Sequence, residues 1–354
     1  MPLLIGTDDG LYRADEIPFE KGDADRVLDC GRVTQVDDLD HADGVFVCST
    51  AGAYRSLDGG ETWSELDVPK GDRYWFEGDS IVFTVHASPD GALYAGTNLP
   101  AVHRSFDGGE SWHELDGVQK LPSRSRWESP EDPKRARIRN IASVPNMKDR
   151  LVMAVEVGGV HRSDDGGETW IDLRDNIPED DVHQILPLTE DCWLAATGYF
   201  DLDLEHVGLQ TGLGHATGWG GLYRTTDAGE TWTRLDQNND YSYIRRVFTH
   251  DGTVFFSGAI GAPPAWANDT HEAALFESTN FGRTFERVEF PGEPHEVIED
   301  WVVDDDGDLL CGSGLFDIPT PRTDIDGRIM RRTDDGEYET VGLVPSSVGR
   351  IEVV

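Results

Sequence analysis

The side chains best suited to chemistry here are arginines that recur at related places and acids that cluster. Arg32, Arg139, His183, Arg245 and Arg350 each stand near the start of a strand-like run, with Arg137 and Arg246 close by. A guanidinium holds a carboxylate or phosphate through two parallel hydrogen bonds, so these groups gathered at one point would bind a small anion. The competing expectation is that each pairs with an acid on a neighbouring element and ties the fold together. Glu156, Asp201 and Asp203 are the candidate catalytic carboxyls. Cleaving a glycosidic bond needs two such groups, about 5–5.5 Å apart for retention or about 6.5–9.5 Å for inversion. Asp201, Asp203, Glu205 and His206, with His215 or His271, have the ligand types for a divalent cation. Their alternative is an acidic, solvated loop. Trp219, flanked by glycines, is the aromatic most open to stacking on a ligand, with Trp75, Trp127, Tyr199, Phe200, Tyr241, Tyr243 and Trp266 on related loops. No phosphate-binding Gly-rich loop, dinucleotide fingerprint, Gly-x-Ser-x-Gly elbow or His-Glu-x-x-His occurs, so no motif requires a cofactor.

What must position these residues is a repeat. Ser56 to Trp63 (SLDGGETW), Ser105 to Trp112 (SFDGGESW), Ser163 to Trp170 (SDDGGETW), Thr225 to Trp232 (TTDAGETW) and Ser278 to Phe285 (STNFGRTF) share one pattern, and a degenerate copy follows at Thr333. The third positions, Asp58, Asp107, Asp165, Asp227, Asn280 and Asp335, are separated by 49, 58, 62, 53 and 55 residues. That period suits one four-stranded antiparallel unit, and seven units fit the length. The first unit has lost its copy, but Gly6 to Arg13 (GTDDGLYR) matches the segment that precedes each of the others.

These motifs resemble the BNR, or Asp-box, repeat of sialidases, sortilin-type receptors, xyloglucan-active hydrolases and photosystem II assembly factors. The resemblance implies an all-β, seven-bladed propeller with the box on the hairpin between the third and fourth strands, away from the functional face. The boxes should then be structural: Gly after Asp permits a left-handed turn, the carboxylate accepts N–H groups across it, and the Trp anchors the next strand. Leu3-Leu4-Ile5 reads as a second strand, and Val348 to Val354 as an unattached first strand, so the end of the chain is expected to complete blade 1 and close the ring. Long segments at about 199–220, 259–272 and 314–326 elaborate the upper face, where the basic side chains would ring the central channel. Sialidases grip a sugar carboxylate with an arginine cluster. Their Arg-Ile-Pro motif and Tyr/Glu pair have no clear counterpart here.

Composition limits the partners. The 354 residues carry 68 Asp and Glu against 30 Lys and Arg, a formal charge of −38, and Lys supplies only five of the 30. This is the balance of proteins kept soluble in multimolar salt, where screening weakens self-repulsion. It argues against nucleic acid and against anionic membranes. No signal peptide or long apolar segment stands out, so a cytoplasmic monomer is expected, with Cys30, Cys48, Cys192 and Cys311 as free thiols. Two functions follow: a sialidase-like protein that holds an anionic ligand, an acidic sugar or similar glycan, and hydrolyses or eliminates a glycosidic bond; or a non-catalytic scaffold for a protein partner.

Overall fold

In a computed structural model, residues 1–69, 81–127, 136–198, 220–236, 241–260, 272–294, 296–315 and 326–354 are described. They form seven four-stranded sheets, with three short 3-10 turns as the only helical pieces among them. In each sheet the strands run antiparallel in the order A to D from the central channel outward. The exception in chain order is blade 1, whose strand A is Val348–Val353, paired with Leu3–Thr7 through Leu3 opposite Val353 and Ile5 opposite Ile351. The end of the chain thus closes the ring, as the sequence implies.

The box shows why the repeat folds as it does. In blade 4, the Ser163 hydroxyl donates to Asp165 Oδ1 at 2.9 Å and accepts the Gly167 N–H at 2.8 Å. Asp165 then accepts the Thr169 N–H at 2.8 Å and its hydroxyl at 2.6 Å. Gly166 and Gly167 take φ of 68° and 88°, which a side chain would resist. Asn280 keeps the scheme by accepting through Oδ1 and donating from Nδ2 to Thr284 Oγ1 at 2.8 Å. Asp335 departs from it: that hairpin closes through the Gly336 N–H on the Thr333 carbonyl at 2.9 Å, so the sixth position is not a working box aspartate.

The boxes also join the blades. A Cβ added to Gly109, Gly167, Gly229 or Gly282 would come within 2.6 to 2.9 Å of Leu66, Leu115, Leu173 or Leu235, each on the preceding blade. Arg55, Arg104, Arg162 and Arg224, ending the C strands, donate to the carbonyls of Gly108, Gly166, Ala228 and Phe281 in the next box at 3.0 to 3.2 Å. The box aromatics Trp112, Trp170, Trp232 and Phe285 pack into the same inter-blade clusters. One motif therefore makes a turn and an inter-blade seam at once.

Candidate functional site

The inner strands carry the site. They span Val33–Asp38, Val82–Ala87, Arg137–Val144, Val182–Pro187, Tyr243–His250, Glu296–Val303 and, in blade 1, Val348–Val353. Every one has a register shift near its upper end, between Val33 and Gln35, Val82 and Thr84, Ile138 and Asn140, Val182 and Gln184, Ile244 and Val247, and Ile298 and Asp300, and at Gly349 in blade 1. Each shift is a β-bulge, which inserts one residue and turns two consecutive side chains to the same side. The inserted residues, Thr34, Phe83, Arg139, His183, Arg245, Glu299 and Gly349, form an upper layer around the channel. The next residues, Gln35, Thr84, Asn140, Gln184, Arg246, Asp300 and Arg350, form a second. All of these residues except Asp300 line a central cavity of about 260 Å³.

The second layer explains the bulges. A bulge frees a backbone N–H farther along the strand, and the preceding blade supplies its acceptor. Gln35 accepts from Val85 at 2.7 Å, Asn140 from Ile185 at 3.0 Å, Gln184 from Val247 at 2.8 Å and Asp300 from Ile351 at 3.3 Å. Arg350 instead donates Nε to the Thr34 carbonyl at 2.7 Å. Polar side chains in this layer are thus spent on holding neighbouring blades in register.

The upper layer is charged. Arg139 Nε lies 3.2 Å and Arg137 Nη1 3.6 Å from Glu156 Oε2. Arg245 and Arg350 flank the Glu299 carboxylate at 3.9 and 3.8 Å, and Arg246 meets Asp300 at 2.9 Å. Arg32 stands just before its inner strand, 3.6 Å from Asp8. Several of these pairs join neighbouring blades, the arrangement expected of structural arginines, whereas Arg139 and Glu156 share blade 4. Burial, then repulsion from Arg246, pushes the Arg350 guanidinium down to about 9, against the pull of Asp300 and Glu299. Burial would raise Glu156, but Arg139, Arg137, His183 and Arg245 outweigh it and hold the carboxyl at about 2. His183 donates Nδ1–H to the Ile244 carbonyl at 2.8 Å and packs on Tyr243, with ring centres 4.9 Å apart. Its Nε2, 3.2 Å from Asp181 Oδ1, makes no aligned hydrogen bond, and neither does Arg139 Nε, although both atoms are buried.

Glu156 was expected at the mouth, level with Thr50 and Thr97. The register places it opposite Arg137 and thus level with Thr50, while Thr97 matches Val155. It lies behind Arg139 and is not part of the cavity wall. Glu156 is thus placed as the counter-ion of Arg139 and Arg137. Asp201, Asp203, Glu205, His206, His215, Trp219 and His271, and with them Trp75, Tyr199, Phe200 and Trp266, lie outside the described residues. Trp127 is used in packing: its ring sits 4.9 Å from that of His161 and its Nε1–H reaches Ser123 Oγ at 3.0 Å. Among the described residues no group of three or more His, Cys, Asp or Glu is arranged for a metal, and no helix is long and apolar enough to cross a membrane.

A family model described as the BNR/Asp-box repeat matches residues 54–65. The fold is a seven-bladed β-propeller, and that match falls on one of its Asp-box hairpins. No curated protein matches the chain. Among solved structures, the propeller is similar to the GH74 xyloglucanase of Xanthomonas campestris, with TM-score 0.57, 16% identity, and coverage of 87% of this chain and 46% of that one. An ancestral GH74 enzyme gives TM-score 0.54 at 16% identity, covering 88% and 38%. YCF48 bound to D1 peptide gives 0.53 at 14%, covering 87% and 80%. The propeller thus spans less than half the length of the two glycoside hydrolase chains. At these identities the likeness is one of fold.

The sequence did not point to Glu299, Asp300 or Asp181, nor to the bulge that organises them, and Tyr243, a candidate stacking ring, lies against His183 on an inner strand. A signal was present. Each inner strand reads apolar, any residue, polar, apolar: Val33-Thr-Gln-Val36, Val82-Phe-Thr-Val85, Ile138-Arg-Asn-Ile141, Val182-His-Gln-Ile185, Ile244-Arg-Arg-Val247, Ile298-Glu-Asp-Trp301 and Val348-Gly-Arg-Ile351.

Proposed function

We propose that this propeller is a recognition protein whose upper channel mouth binds a small carboxylate-bearing ligand, such as an acidic sugar, without hydrolysing it. The observation that carries this reading is the pair Arg139 and His183. They are bulged out of adjacent blades into one cavity, and each has a buried nitrogen with no aligned hydrogen-bond partner. Buried polar groups left in this state are costly: the Arg139 guanidinium can take a carboxylate, and His183, whose Nδ1–H is already spent on the Ile244 carbonyl, can accept a ligand hydroxyl at Nε2, so an acidic sugar supplies what each lacks. The commitment of Glu156 to Arg139 and Arg137 speaks against this carboxyl as an acid catalyst. Similar propellers include a xyloglucanase and a protein bound to a peptide, so the fold accommodates either kind of ligand.

The test is titration calorimetry in concentrated KCl with glucuronate, galacturonate and sialic acid on wild type, Arg139→Gln and His183→Gln. Wild type should bind at least one of them, and Arg139→Gln should weaken that binding about 10- to 100-fold, the worth of a charge-assisted hydrogen bond. Binding that survives both substitutions, or no binding by wild type, overturns the proposal. Release of a reducing sugar from a glycoside of the bound acid would overturn its non-catalytic part.

A further inference from the structure

Below its cationic mouth the channel changes sign. Three residues beyond the bulge, the inner strands present a further layer: Asp37, His86, Ala142, Leu186, Phe248, Val302 and Glu352. At about 3.3 Å per residue this lies roughly 10 Å farther along the strand. Asp37 and Glu352 occupy equivalent places in blades 2 and 1, which neighbour each other in the ring. Neither has an ion-pair partner among the described residues. Asp37 accepts from Gln35 Nε2 at 3.0 Å, and Glu352 from the Val353 N–H at 3.2 Å. His86, the other titratable group at this depth, touches Ser143 Oγ at 2.7 Å and is pushed down to about 4 by burial, so it brings no positive charge. The nearest cation is Arg246, already 2.9 Å from Asp300.

The cavity that meets Arg139, His183 and Arg245 above also meets Asp37 below, and Asp37 and Glu352 together border a neighbouring pocket on its far side. Its 260 Å³ has room for about nine water-sized groups, the size of a short linear molecule. Burial raises both Asp37 and Glu352; Asp300 and Asp40 add to it at Asp37 against the pull of Gln35 and Arg246, and Asp37 and Asp300 add to it at Glu352. A bound cation would relieve both effects.

We infer that the ligand is dipolar: a linear molecule with a carboxylate held by Arg139 at the mouth and a terminal ammonium or guanidinium directed at Asp37, with the Glu352 carboxylate beyond it. This rests on the anion-binding reading of the upper mouth and adds to it the class of the ligand. The charges would stand several ångströms apart, which excludes α-amino acids from spanning both layers and favours chains of about six to eight carbons.

The experiment is a calorimetric ladder in concentrated KCl: 4-aminobutyrate, 6-aminohexanoate and 8-aminooctanoate, each beside the carboxylate and the amine of equal length. In wild type, 6-aminohexanoate or 8-aminooctanoate should bind at least tenfold tighter than either matched single-charge compound, and 4-aminobutyrate should not. Asp37→Asn should remove that advantage while leaving the plain carboxylate unchanged. Glu352→Gln serves the same purpose if the first variant does not fold, and Arg139→Gln should weaken amino acid and carboxylate alike. Equal binding of amino acid and carboxylate in wild type overturns the dipolar ligand and leaves the anion site standing. Failure of amino acids, plain carboxylates and acidic sugars alike overturns both.

Discussion

Replacing Glu156 by Gln separates a structural from a catalytic carboxyl at the channel mouth. The folded protein holds this group at about 2 against an ordinary 4.5. Because the value is depressed on folding, the stabilising contribution is complete above pH 4.5 and is lost as pH falls towards 2. At about 1.4 kcal/mol per pH unit the difference amounts to about 3 kcal/mol at neutral pH. Gln keeps the shape and removes the charge, leaving Arg139 and Arg137 against a neutral amide, and breaking a buried pair from one side costs about 3–5 kcal/mol. With an unfolding entropy of about 2.1 cal/mol/K per residue, 3 kcal/mol corresponds to a fall in Tm of about 4 °C for a chain of this length. Scanning calorimetry of both proteins in the same KCl concentration, at pH 7 and again at pH 3, reads this directly. The gap should be about 4 °C at pH 7 and should narrow by pH 3, where wild type has lost part of the same contribution. A gap below 1 °C at pH 7, or one that does not narrow in acid, refutes the assignment of Glu156 as a paired, charged counter-ion.

Other consequences concern the ring. Ser163→Ala removes the hydroxyl that bridges Asp165 and the Gly167 N–H, leaving a buried donor unsatisfied, and should cost about 1–3 kcal/mol by denaturant titration. A loss below 0.5 kcal/mol would show that the turn holds without its bridge. Deleting Val348–Val353 strips blade 1 of its inner strand and uncovers Leu3 and Ile5, so the truncated chain should lose its cooperative melt; retention of one would mean that ring closure is dispensable. Dilution from multimolar to about 0.1 M salt lengthens the Debye length from about 3 to about 10 Å and exposes the charge of −38 to itself. Tm should fall by tens of degrees across that range, and a Tm independent of salt would count against a fold adapted to high ionic strength.

The fold was legible because the box is a local device. Ser, Asp, Gly and Thr at fixed offsets close one turn through bonds within a few residues, so the pattern survives in sequence and its spacing counts blades. The ring closure was legible for a related reason, since strand-like runs at both ends each lacked a partner. The channel was only partly legible. Arg139, His183 and Arg245 were rightly aligned, but the pairing of Arg245 and Arg350 on Glu299 joins residues that are 54 and 51 positions apart, on different blades. The charge of an arginine is visible in sequence, whereas its counter-ion is set by inter-blade register. The bulge is harder still to see, because one inserted residue looks like ordinary strand until seven copies are stacked.

The dipolar channel and the acidic surface bear on one another. A charge of −38 opposes the approach of any anion from a distance, and the opposition is strongest at low ionic strength, where the self-repulsion of the surface is also least screened. In concentrated salt the repulsion is cut to about 3 Å, so an arriving carboxylate feels only the groups it touches, and the buried mouth decides its affinity. Salt weakens exposed pairs far more than buried ones, which is why a cationic mouth set inside the channel can still work where a cationic patch on the surface could not. A molecule carrying one charge of each sign is not repelled even at low salt. Its affinity should therefore vary less with KCl than that of a uronic acid, provided the protein stays folded. A plain acid whose binding strengthens with added salt, beside an amino acid whose binding does not, is the pattern these electrostatics require.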